Sequence, residues 1–267
     1  MSLNFAAISP HPPIVIPGIG NEGDLEKVAN TVFGLKKLAS IFKNAEIDTL
    51  IIISPHGVIY PDRFNISGMK KLFGTFASFD APDIMMEFDN DIDLAALLDA
   101  KAQKNNIETL LYDNSGEFCE LDHGAMVPLY YLTQNQESAL RVLPIAYSGL
   151  PRLDHFAFGQ LIGEVAKNYE GRVGIVASGD LSHRLIERPE GKKFDEKLVE
   201  DIKQNDTKSI LYYDEDFVEL AGECGYRSIL ILLGILDGSD IKPEMISYEG
   251  PFGVGYLVAN YDLKKNE

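Results

Sequence analysis

The chain has 267 residues, 45% of them hydrophobic, with 24 Lys+Arg against 41 Asp+Glu and a formal net charge of −17. That length and apolar content can bury a substantial core near the upper limit for one domain, so a single domain over residues 1–267 is expected. The negative charge repels a phosphate backbone, so nucleic acid is not an expected partner. Apolar runs such as Thr49–Ser54 and Ser228–Leu236 fall far short of the roughly 20 residues that span a bilayer, and no membrane association is expected.

In chain order, short β-rich runs alternate with longer helical patterns. Leu3–Ile8 reads as a strand, Asp24–Lys43 as a helix, and Thr49–Ile53 and Phe64–Met69 as strands. The acidic tract Glu87–Leu94 reads as a solvated loop leading into a helix over Leu94–Asn105, with Asp93 or a neighbour near its N-terminus. A helix over Ala125–Leu132, a strand over Leu140–Tyr147, a helix over Phe156–Asn168 and a strand over Gly171–Ala177 follow. Helices over Phe194–Gln204 and Arg227–Leu236 precede two final strands, Glu244–Tyr248 and Val254–Asn260, joined by EGPFG as an antiparallel hairpin. This order predicts an α/β fold with a central mixed, mostly parallel sheet covered by helices on both faces.

Three of the five histidines sit just past strand-like runs. Ser9-Pro10-His11 follows Phe5–Ile8, Ser54-Pro55-His56 follows Leu50–Ile53, and Ser178-Gly-Asp-Leu-Ser-His183 follows Val173–Ala177. Proline lacks a backbone donor and fixes φ near −65°, so Ser-Pro ends a ladder and turns the next side chain out of the strand line. In an open parallel sheet such strand ends share one edge, where ligands bind. His123, in Asp122-His123-Gly124, opens the Ala125–Leu132 helix, which Asp122 can cap. His155 lies at an ordinary helix start and is given no chemistry.

A third metal ligand is sought in Gly222-Glu223-Cys224-Gly225, which offers a carboxylate and a thiol side by side. Two imidazoles with one carboxylate make the facial triad of non-haem Fe(II) oxygenases, whereas a thiolate favours Cu(I) or zinc. Asp180 reads equally as an orienting partner for an imidazole and as a turn residue. The two cysteines, Cys119 and Cys224, form no CxxC pair and fit a reducing cytoplasm. Met1–Pro10 lacks a basic segment followed by an apolar one, so no export signal is read there. A zinc hydrolase is disfavoured by the lack of HExxH, and GxSxG and Walker patterns are likewise missing.

Taken together, SPHPP (Ser9–Pro13), SPHG (Ser54–Gly57), DHGAMVPLYYL (Asp122–Leu132), SGDLSH (Ser178–His183), GECGYRS (Gly222–Ser228) and YEGPFGVGYLV (Tyr248–Val258) resemble the class III extradiol dioxygenase (LigB) superfamily, in its order and over nearly the whole chain. Within it the chain looks closest to the AmmeMemoRadiSam branch, which includes the Memo proteins. The resemblance implies metal ligation by His11 and His56, with His183 and His123 as pocket acid/base residues. It divides over the third ligand: the dioxygenases favour Glu223, the Memo proteins Cys224, and Glu223 is preferred here. It further implies Fe(II), with zinc or copper as alternatives, a small aromatic substrate with O2, and self-association.

Overall fold

A computed structural model describes residues 2–113, 118–134 and 139–263. Among the described residues an eleven-stranded mixed sheet organises the fold, and six of its ten strand pairings are parallel. Its middle consists of β1 (Leu3–Ser9), β2 (Thr49–Ser54), β8 (Arg141–Ala146) and β9 (Val173–Ser178), in the order β1-β9-β2-β8, all parallel. On one flank β10 (Pro243–Glu249) and β11 (Tyr256–Tyr261) form the expected antiparallel hairpin, with β11 running against β1. On the other lie β4 (Lys71–Phe76), β5 (Ala81–Asn90) and β7 (Cys119–Glu120), while β3 (Phe64–Ser67) and β6 (Thr109–Tyr112) branch off β8.

The middle strands are apolar on both faces because both are covered. Alternate side chains along a strand point to opposite faces, and the core divides accordingly. Ala6, Ile8, Ile51, Ile53, Ile175 and Ala177 join the cluster under α3 (Ile92–Lys104), α5 (Arg152–Asn168), α6 (Pro189–Gln204) and α9 (Tyr226–Ile235). Phe5, Ala7, Leu50, Ile52 and Val176 face α2 (Ala29–Ala45) and α4 (His123–Thr133). Three short helices, α1 (Asp24–Lys27), α7 (Thr207–Leu211) and α8 (Glu215–Ala221), complete the set among the described residues.

Two expectations are corrected. The helix over Asp24–Lys43 is interrupted at Val28, whose φ of −104° and ψ of 23° separate α1 from α2. The acidic tract is not a loop up to Leu94: Glu87–Asn90 belongs to β5, and the side chain of Asp91 caps α3 by accepting from Leu94 N–H. β5 alternates exposed and half-buried residues beside β4, and its acidic residues occupy solvent-facing positions of a strand. No helix among the described residues is long and apolar enough to cross a membrane.

Candidate metal centre

The sheet register explains why distant motifs meet. Ser9 pairs with Ser178, and Ile53 with Ala177, so β1, β9 and β2 end level with one another. A serine closes each of these strands, and the residues beyond them emerge along one carboxyl edge. His11 is buried beyond that edge, at 2% exposure, while His56 and His183 are exposed.

The imidazoles converge. His11 Nε2 lies 3.0 Å from His56 Nε2. His123, at the first position of α4, stacks on His56 with ring centroids 4.3 Å apart and meets His11 edge-on. Ligand atoms of His11, His56 and His123 all lie within 4.8 Å of one another. Burial holds the pKa of His11 well below its usual value, and the neighbouring histidines push the same way. His56, His123 and His183 are lowered as well, chiefly by desolvation. Near pH 7 the cluster is therefore neutral, the state in which an imidazole ligates a metal.

The supports of these rings are local. Ser54 Oγ donates to Asp122 Oδ1 over 2.5 Å, and the same oxygen accepts from Ala125 N–H, so Asp122 both caps α4 and ties it to the end of β2. A Cβ on Gly124 would lie 2.5 Å from Ser54 Oγ and 3.3 Å from His56 Cδ2, so glycine lets the helix start dock this closely. Ser178 Oγ lies 2.9 Å from His11 Nδ1 and donates to Gly124 O over 2.5 Å. Asp180, almost fully buried, accepts from the backbone N–H of His11 and so fixes the loop that carries the ring. Burial pushes its pKa up to about 7, against the opposing pull of that hydrogen bond.

Glu223 and Cys224 part company. The Glu223 carboxylate accepts from Tyr226 N–H at the start of α9, near Arg227, and lines a separate cavity of about 550 Å³ with Arg152 and Arg227. Burial raises its pKa to about 7. Cys224 Sγ instead lies 3.5 Å from His11 Nε2 and accepts from Asp180 N–H. The turn is held there because Cys224 and Gly225 N–H both donate to Asp180 O, and because Gly179 and Gly225 touch backbone to backbone. Both cysteines are free thiols.

Sequence reasoning missed Ser54 and Ser178 as supports, although their positions at the ends of parallel strands were visible. It also missed Phe79, which reaches the edge of His123 from the turn between β4 and β5, with ring centroids 5.4 Å apart. Asp180, which reads equally as an imidazole's partner and as a turn residue, accepts from the backbone N–H of His11. The group that could hold a metal is His11, His56 and His123, with the Cys224 thiol 3.5 Å from His11 Nε2, and imidazole suits iron, zinc and copper alike.

An α/β sheet with a histidine cluster at its carboxyl edge defines the class of protein. The chain belongs to the LigB family, whose model, described as the catalytic LigB subunit of aromatic ring-opening dioxygenase, matches residues 5–259. It is 34% identical to Protein CA_C1420 of Clostridium acetobutylicum over its whole length, and it spans 59% of that relative. It is 22% identical to 3,4-dihydroxyphenylacetate 2,3-dioxygenase of Escherichia coli, over 76% of this chain and 79% of the relative. The fold is shared with an uncharacterized protein, JW3007, from Escherichia coli K12, at a TM-score of 0.67 and 15% identity, covering 96% of this chain and 98% of that one.

Proposed function

We propose that the chain is a metal-dependent dioxygenase that opens the ring of a catechol-type aromatic with O2, using Fe(II) held by His11 and His56. The observation that carries this reading is the pair of Nε2 atoms 3.0 Å apart at the carboxyl edge of the sheet, in a family of ring-opening dioxygenases. Bound Fe(II) supplies Lewis acidity toward phenolic oxygen and a redox partner for O2. The remaining tasks fall to the chain. His183, exposed and close enough to His11 and His56 to lower their pKa values, is itself neutral near pH 7, and it takes a phenolic proton and returns it to the opened product. His123, between His56 and the edge of Phe79, offers a second neutral imidazole, and Phe79 gives a flat substrate an aromatic wall. Asp180 keeps the backbone of His11 in place.

One observation favours a second reading. Cys224 Sγ lies 3.5 Å from His11 Nε2, whereas the Glu223 carboxylate is engaged at Tyr226 N–H. A thiolate ligand favours Cu(I) or zinc and fits a Memo-like metal- or redox-binding protein that turns over no catechol.

The deciding experiment loads anaerobically purified protein with Fe(II), offers a panel of catechols, and records O2 uptake beside the visible absorbance of ring-opened product. Stoichiometric uptake, lost in His11→Ala and His56→Ala, is the expected result. No uptake across the panel with one metal bound per chain would overturn the dioxygenase reading in favour of the second.

A further inference from the structure

A proline in α4 bears on the histidine cluster. In an α-helix the N–H of residue i donates to the carbonyl of residue i−4. The N–H that would reach Gly124 O belongs to position 128, and Pro128 has none. Gly124 is buried, and an unpaired acceptor there is costly. Ser178, itself fully buried at the end of β9, supplies the missing donor, with Oγ 2.5 Å from Gly124 O.

A hydroxyl has one proton to give. A carbonyl can only accept, so the Ser178 proton is committed to Gly124 O. The other contact of Ser178 Oγ, 2.9 Å from His11 Nδ1, must then run the opposite way, with Nδ1–H donating to the serine oxygen. A neutral imidazole protonated on Nδ1 keeps its lone pair on Nε2. That is the nitrogen facing His56 Nε2 at 3.0 Å and Cys224 Sγ at 3.5 Å.

We propose that Ser178 is the positioning residue that sets the tautomer of His11: Pro128 orphans the Gly124 carbonyl, that carbonyl takes the Ser178 proton, and Ser178 thereby holds His11 as the Nδ1–H form with Nε2 free to bind a metal. The value of this relay to metal binding rests on the reading of His11 as a ligand. The relay itself does not, because it consists only of the hydrogen bonds among Gly124, Ser178 and His11. It also couples two elements: the hydroxyl that presents His11 from the β1 loop anchors the first turn of α4, which carries His123.

The test has two readouts. The first is nitrogen NMR of the metal-free, 15N-histidine-labelled protein near pH 7.5, with His11 assigned by its loss in His11→Ala. Wild type should show His11 protonated on Nδ1 and bare on Nε2. Ser178→Ala should lose that preference, and Pro128→Ala, which gives Gly124 O a helical donor, should shift the population toward Nε2–H with the fold intact by circular dichroism. The second readout is Zn²⁺ affinity by chelator competition, expected to fall about 10- to 100-fold in Ser178→Ala and less in Pro128→Ala, as for other partners of metal-bound histidines. His11 bare on Nε2 in wild type and in both variants would overturn the proposal. If wild type and His11→Ala bind zinc equally, the ligand reading falls, and the tautomer measurement still decides the relay.

Discussion

Glu223 and Cys224 are consecutive residues whose side chains leave one turn in different directions. The carboxylate goes to the N-terminus of α9, where helix N–H groups favour a negative or hydrogen-bonding group, and the thiol goes to His11. Cys224→Ser should therefore weaken Cu(I) binding by about tenfold or more while shifting Fe(II) binding far less, since the hydroxyl is a harder donor. Glu223→Gln should leave both affinities near wild type and lower thermal stability, because a weaker acceptor replaces the carboxylate at Tyr226 N–H. Titration with each metal against a competing chelator checks both, and a collapse of Fe(II) affinity in Glu223→Gln would restore the carboxylate to the ligand set. The sequence pointed to this turn for a third ligand and left Glu223 and Cys224 side by side as candidates. Side-chain direction there depends on the contact between Gly179 and Gly225, which are 46 positions apart and carry no local signal.

At the scale of elements, the strands bearing SPH and SGDLSH were legible because each is a short apolar run stopped by a serine and a turn, and three such stops in register make an edge. The β4–β5 hairpin was not, because β5 packs only one half-buried face and its charged residues mimic a solvated tract. With it went Phe79, whose contact with His123 depends on the turn of that hairpin. The approach of the 178–183 loop to the Cys224 turn gives a prediction of its own. A Cβ on Gly179 would stand 2.0 Å from Gly225 Cα, and backbone cannot step aside as a flexible side chain can. Gly179→Ala should cost roughly 1–3 kcal/mol of stability and, by moving Cys224 away from His11, weaken Cu(I) binding. Urea denaturation and chelator competition measure the two effects. Wild-type values for both would mean that the loops separate without consequence.

Across the whole molecule, stability against pH is set by buried groups that oppose one another. His155 is fully buried between Phe64 and the carbonyls of Ser148 and Pro151, and desolvation lowers its pKa from 6.5 to about 4. The unfolded chain binds that proton more readily, so the contribution of His155 is complete above 6.5 and is lost as pH falls through 4. Asp195, also fully buried, accepts from Ser182 N–H and Tyr248 O–H, yet desolvation raises its pKa from 3.8 to about 6. Here the folded chain holds the proton more tightly. Its stabilisation is complete below 3.8 and is lost as pH rises through 6. Each shift corresponds to roughly 3 kcal/mol at most, and between about pH 4 and 6 the two slopes cancel in part. His155→Gln should therefore leave a protein whose stability falls more steeply than wild type as pH rises across that window, and Asp195→Asn one whose stability rises. Urea denaturation at half-unit steps from pH 4.5 to 7 gives both slopes. Parallel curves for wild type and Asp195→Asn would mean that Asp195 is ionised throughout, with its two hydrogen-bond donors holding the charge despite burial.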